Sequence, residues 1–201
     1  MNQQQLSHAI RTACTIMSEL GHEVDSVIII GSQSILGSFN ETELPGAATL
    51  SQEVDVLPDV EDLNEMLFLS EMIEGVAGEL SGFEDIHGFN IDGVDITTPT
   101  LPEGWRDRLV PVSNEFTRNT QTGRQYTGWC LDPADLCAAK ICAGREKDLN
   151  FVYALFDAGL VNRELVRERL QMVPAEPSEK KAQAEAALER HLPPVHGLSR
   201  D

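Results

Sequence analysis

The stretch Val27-Ile28-Ile29-Ile30-Gly31-Ser32-Gln33, followed after a loop by Ser51-Gln52-Glu53-Val54-Asp55-Val56, decides the fold. An unbroken β-branched and apolar run reads as a central strand buried on both faces. Gly31-Ser32 ends it as a turn, and Gln33 to Ser38 reads as a short helix. In the second segment apolar and acidic residues alternate. Side chains along a strand alternate with period two, so Glu53 and Asp55 share one face. Pro58 closes this second strand, Glu53 to Leu57.

Working outward, residues 3–20 place Leu6, Ile10, Ala13, Ile16 and Leu20 at helical spacing, and Gly21 supplies a stop. Residues 39–50 read as a loop centred on Pro45-Gly46. Residues 60–79 are acidic and apolar at helical spacing and read as one or two helices. Phe89 to Thr97 alternates around Gly93 and reads as a strand or hairpin. Pro102 to Trp105 is a turn, and Leu109 to Val112 and Arg124 to Trp129 are further short strands. Asp132-Pro133 carries a helix-start signature, an Asp N-cap with Pro in the first helical position. That helix runs to Ala143. Lys147 to Ala158, Asn162 to Met172 and residues 178–191 read as three more. These signals place the chain in the α/β (α+β) class. They divide it into a core of residues 1–131, a helical C-terminal part of residues 132–192 and a tail of residues 193–201, expected to be mobile.

Composition excludes several functions. The net charge is −18, and no Lys or Arg occurs between Arg11 and Arg106. Such a surface repels nucleic acid, so a broad face for duplex DNA is not expected. Most basic residues lie between Arg106 and Arg169. The four cysteines, Cys14, Cys130, Cys137 and Cys142, include no Cys-x-x-Cys pair, so reduced thiols packed in a core are expected rather than zinc. The histidines show no ligand spacing. The N-terminal residues lack a basic-then-apolar signal pattern, and no apolar run approaches the ~20 residues that span a bilayer. A cytoplasmic protein is the expectation.

Three elements carry chemistry. The first is the paired carboxylates Glu53 and Asp55, with Asp95 in Val94-Asp95-Ile96 as a third that a neighbouring strand brings alongside. Asp92, in Asn90-Ile91-Asp92, has the same alternation and competes with Asp95. Converging carboxylates in an apolar frame need a cation to neutralise them. The bland reading puts them on the solvated face of an edge strand. The second is the Gly31-Ser32 turn. Gly31 lets a phosphate approach the backbone, and Ser32 adds a hydroxyl donor. It is neither a P-loop nor a dinucleotide fingerprint. The third is Lys140, Arg145 and Lys147, the densest cationic group in the chain and the only good counter-charge for a triphosphate. Its bland reading is surface ion pairing among Arg145, Glu146, Lys147 and Asp148. Trp105 reads as a hydrophobic turn residue or a base-stacking one.

The order of these elements is apolar-Gly-Ser, Ser-x-Glu-x-Asp, a lone carboxylate strand, then Lys-x-x-Ala-x-Arg-x-Lys-Asp. It resembles the small bacterial members of the DNA polymerase beta-like nucleotidyltransferase superfamily, including the abortive-infection toxins of toxin–antitoxin systems. The resemblance covers roughly residues 25–160. It implies a nucleotidyltransferase-like mixed sheet flanked by helices, with a helical C-terminal part. It implies Mg²⁺, a nucleoside triphosphate as substrate, and RNA, a protein or a small molecule as acceptor. Carried over by position, Gly31 and Ser32 hold phosphate, and Glu53 and Asp55 bind metal. Asp95 is the third carboxylate and base. Lys140, Arg145 and Lys147 contact phosphates, and Asp148 orients the basic side chains. Two features depart from the pattern: residues 39–50 are an inserted loop, and Glu53 stands where Asp is more frequent. The alternatives are a catalytically inactive binding module on the same fold and a structural acidic protein.

Overall fold

The computed structural model describes residues 1–97, 99–174 and 178–191. The expected tail of residues 193–201 lies outside them.

Among the described residues five strands form one mixed sheet: β1 (Ser26–Ile29), β2 (Glu53–Pro58), β3 (Asn90–Gly93), β4 (Val110–Val112) and β5 (Thr127–Cys130). Their order is β3-β2-β1-β5-β4. β1 runs antiparallel to β2 and parallel to β5. β2 and β3 are parallel, and β4 closes the far edge antiparallel to β5. The all-apolar run of β1 lands at the centre of the sheet, where both faces are covered. Val27, Ile28 and Ile29 are fully buried.

The first helix, α1 (Gln3–Glu19), starts with a reciprocal cap. Asn2 Oδ1 accepts from the Gln5 backbone at 2.9 Å and Gln5 Oε1 accepts from the Asn2 backbone at 3.0 Å. It presses Leu6, Ile10, Ala13 and Met17 into the core. The contact with β5 is close: a Cβ on Gly128 would lie 2.3 Å from Ile10 Cδ1. Helix α2 (Leu63–Ala77) packs against β3. A Cβ on Gly93 would meet the Ser70 backbone oxygen at 1.9 Å, so only glycine fits there. Ser70 Oγ donates to the Val94 carbonyl at 2.8 Å across the same contact.

The region expected as one or two helices over residues 60–79 is one helix, α2. A second short helix, α3 (Gly82–His87), follows outside the predicted range. Ser81 caps its start and Gly88, at φ 71°, ends it. Six residues give too little periodicity to reveal such a helix in sequence. The expected strand or hairpin at Phe89 to Thr97 is a single parallel strand that ends at Gly93, where Ser70 presses on it. The short helix after Gly31 is a 3₁₀ helix, Ser32–Gly37.

Among the described residues four helices follow: α4 (Pro133–Ala143), α5 (Glu146–Asp157), α6 (Arg163–Gln171) and α7 (Ser178–Arg190). Asp132 caps α4 through the backbones of Ala134 and Asp135, as its sequence signature predicts. One hydrophobic cluster runs from Leu6 through the sheet to Leu155, Val166 and Leu188, joining these helices to the strands. A buried ion cluster adds to the joint. Asp135 on α4 accepts from Arg108 at 2.8 and 3.1 Å, and Arg169 on α6 lies 3.1 Å away. Cys14, Cys130 and Cys137 are buried free thiols. Burial raises all three, Cys130 to about 12. Among the described residues no helix is long and apolar enough to cross a membrane.

Candidate active site

β1 and β2 bring the two halves of the deciding stretch together. The Ile30 amide donates to the Asp55 carbonyl at 3.2 Å, and the chain then turns at Gly31. Gly31 has ordinary extended backbone, φ −89° and ψ −167°. Its glycine is required by space: a Cβ there would lie 1.5 Å from Asp55 Oδ2. The missing side chain of Gly31 is the volume that the Asp55 carboxylate occupies. Gln33 then ties the turn to the start of β2, donating from Nε2 to the Ser51 carbonyl at 2.8 Å.

On β2 the period-two pattern holds. Val54 and Val56 are fully buried, and Glu53 and Asp55 alternate with them on the opposite face. The register to β3 sets Asp92 directly beside Asp55 and Asn90 beside Glu53. Asn90 Nδ2 donates to Asp92 at 2.7 Å. Register therefore brings Asp92 to the pair. Asp95 lies two residues beyond β3, where it caps a turn by accepting from the Thr97 backbone at 2.6 Å. Asp92 and Asp95 are an odd number of residues apart, so a regular strand could not present both on one face.

The three carboxyls are crowded. Glu53 is pushed up to about 7, first by burial, then by the charges of Asp55 and Asp92, while Lys147 pulls it back. Asp55 is also raised, by burial first and Asp92 second, with Lys140 opposing. A cation bound here would relieve this crowding and favour the charged carboxylates.

The cationic corner reaches this cluster from far along the chain. Gly144, at φ 68°, ends α4 and turns the chain into α5. Asp148 on α5 is buried and accepts from Lys140 Nζ at 2.9 Å and Arg145 Nε at 2.5 Å. Burial alone would raise Asp148, but these two hydrogen bonds reverse the effect and leave it below the usual carboxylate range. Lys140 also sits over the Phe151 ring, 4.7 Å from its centroid. The positive charges of Lys140 and Lys147 act on Asp55 and Glu53 respectively. Arg145 in turn is raised, first by its bond to Asp148, with the fields of Asp55 and Glu53 adding. Of the sequence-derived residues, the fold assembles Gly31, Glu53, Asp55, Lys140, Arg145, Lys147 and Asp148, with Ser32 at the start of the 3₁₀ turn. Trp105 packs partly buried against the core, with the Arg106 guanidinium 4.7 Å from its ring centroid.

The donor set fits a hard cation. Among the described residues no three or more His, Cys, Asp or Glu form a ready-made metal cage. Mg²⁺ needs none, since it takes one or two carboxylates and completes its shell with water and substrate phosphates. Glu53 and Asp55 supply two oxygen donors whose mutual repulsion a cation relieves.

One consequence is measurable without any ligand. Between about pH 4.5, where free glutamate ionises, and about pH 7, the folded chain keeps the Glu53 proton and the unfolded chain has lost it. The contribution of this group to stability therefore falls as pH rises through that window. Glu53→Gln is expected to flatten the fall in melting temperature across it. Parallel profiles for variant and wild type would show that Glu53 ionises normally.

No curated protein and no solved structure matches the chain significantly. A family model does, over residues 6–189, nearly the whole sequence. With its mixed sheet, its turn at Gly31 and its carboxylates on β2 and β3, the chain belongs to the family described as nucleotidyltransferase of unknown function (DUF6036).

Proposed function

We propose that this chain transfers a nucleotidyl group from a nucleoside triphosphate to an acceptor hydroxyl, with Mg²⁺ held by Glu53 and Asp55. The observation that carries the reading is the convergence of Glu53, Asp55 and Asp92 at the Gly31 turn, within the field of Lys140 and Lys147. Bound Mg²⁺ would supply charge neutralisation for the phosphates and acidify the attacking hydroxyl. The protein supplies position and proton bookkeeping. Gly31 and Ser32 offer a close backbone approach and a hydroxyl donor to the triphosphate. Lys140, Arg145 and Lys147 face its negative charge, and Asp148 holds the first two in place. Asp92, beside Asp55, takes the proton as the acceptor oxygen bonds to the α-phosphorus and pyrophosphate departs. This gives Asp92 the role that the family resemblance lent to Asp95.

The acceptor is RNA, a protein or a small molecule, and the acidic surface argues against duplex DNA. A toxin role in a toxin–antitoxin pair belongs to the same reading. It requires that overproduction arrest growth and that Asp55→Asn relieve the arrest.

The test is thermal melting with each of the four nucleoside triphosphates, with and without Mg²⁺. A ligand bound only by the native state at about a hundred times its Kd adds about 2.7 kcal/mol. For a chain of this length that raises the melting temperature by roughly 5–10 °C. The expected result is a Mg²⁺-dependent rise that Asp55→Asn abolishes. No rise with any triphosphate would leave an inactive nucleotidyltransferase-fold module.

A further inference from the structure

The active site does not account for the outer face of α2 and α3. Phe68, Met72 and Val76 lie four residues apart and form a ridge about two turns long on α2. Phe68 is 46% exposed and Val76 51%, and the chain continues into Leu80 at 90% and Ile86 at 78%. The rest of α2 is ordinary: Met66, Leu69, Ile73 and Ala77 fill the core. Two further features each cost stability. Gly75 sits mid-helix, where glycine costs about 1 kcal/mol against alanine, although a Cβ there would meet nothing within 4 Å. Leu80 adopts φ 61°, a left-handed backbone that leucine rarely tolerates, and holds its side chain in solvent. Exposed apolar side chains grouped along one helix and the chain that leaves it mark an interaction site.

The charge around the ridge selects the occupant. Residues 60–87 carry eight carboxylates and no Lys or Arg. Glu71, Glu74 and Glu79 are exposed beside the apolar ridge, and Glu65 pairs with His22 next to Phe68. A second copy of this face would bring like charges together. Anionic lipid headgroups would be repelled in the same way. We propose that the α2–α3 face docks an amphipathic helix of a partner protein, apolar on one side and flanked by Lys or Arg. Its apolar side packs on Phe68, Met72, Val76 and Leu80. Its backbone approaches closely at Gly75, and its cations meet Glu71, Glu74 and Glu79.

The probe is a fluorescein-labelled amphipathic peptide of leucine and lysine at helical spacing, titrated into the full chain at about 0.15 M salt, where the Debye length is about 8 Å. Phe68→Ser combined with Val76→Ser changes no charge and touches no buried residue. It is expected to weaken binding by about tenfold or more, as loss of an apolar anchor does. Glu71→Lys with Glu74→Lys is expected to weaken it comparably. Leu50→Ser, on a residue 77% exposed outside the patch, leaves it unchanged. Matching melting curves establish that the variants are folded. Equal affinity for wild type and the serine variant would overturn the proposal, because binding would then be diffuse ion attraction. Equal binding of a peptide with glutamate in place of lysine would do the same. So would a dimer in sedimentation, or binding to zwitterionic vesicles, that the serine variant abolishes: a second copy or a membrane would then own the face.

Discussion

Asp135→Ala is expected to lower stability by about 3 kcal/mol, the low end of the range for removing one partner of a buried ion pair. The carboxylate is fully buried between Arg108 and Arg169, whose side chains keep 21% and 18% exposure and so regain some water when it is lost. Burial raises Asp135 and the bonds from Arg108 oppose that, which is the signature of a carboxylate that needs its partners. For a chain of this length the loss corresponds to a fall of about 6–12 °C in melting temperature. Asp135→Asn keeps an acceptor oxygen and loses less. Urea unfolding checks both: the midpoint moves and the slope does not. A loss below about 1 kcal/mol would rank the cluster with surface pairs. The cluster also bears on the site. It fixes the first turn of α4, and Lys140 projects from the last turn of the same helix. Asp135→Ala should therefore also weaken the Mg²⁺-dependent triphosphate shift.

Asp55→Asn is expected to reduce nucleotidyl transfer about 10³-fold, the scale for deleting one preorganised electrostatic group from a reaction centre. Its effect on folding has the opposite sign. Asp55 is raised by burial and by Asp92, so its charge is held at a cost that the amide removes. The variant should melt no lower than wild type while losing activity, which separates chemistry from folding. Incorporation of α-labelled nucleotide into RNA or protein, measured beside melting curves, reads both. Transfer at the wild-type rate would remove Asp55 from the mechanism. Gly31→Ala attacks the same carboxylate from the other side, since the new methyl must displace Asp55 Oδ2. A displacement on the ångström scale costs on the order of a hundredfold in rate.

Much of this was legible in the chain. The period-two alternation of Ser51 to Val56 placed Glu53 and Asp55 on one face, and the apolar run of Val27 to Ile30 became the centre of the sheet. Asp132-Pro133 and Gly21 marked helix ends, because capping is local chemistry. The Lys140 to Asp148 segment stood out as the only dense cationic group. Helix α3, six residues long, is too short to show a helical period in the sequence. Asp92 and Asp95 share the same apolar framing in the sequence, which holds no measure of which one the partner strand meets.

What the sequence determined by itself was local: periodicity, caps, charge and the order of the motifs, all set by contacts a few residues apart. The tertiary structure decided what depends on distant partners. Register between β2 and β3 chose Asp92, because pairing Asp55 with Asp92 is a choice between strands. Packing of Asp55 against residue 31 explained the glycine, which backbone angles alone did not require. The helical corner carried Lys140 and Lys147 to carboxylates some ninety residues earlier, and Asp135 drew Arg108 and Arg169 into one buried cluster. Burial and electrostatics are sums over neighbours in space, and only the folded chain says who those neighbours are.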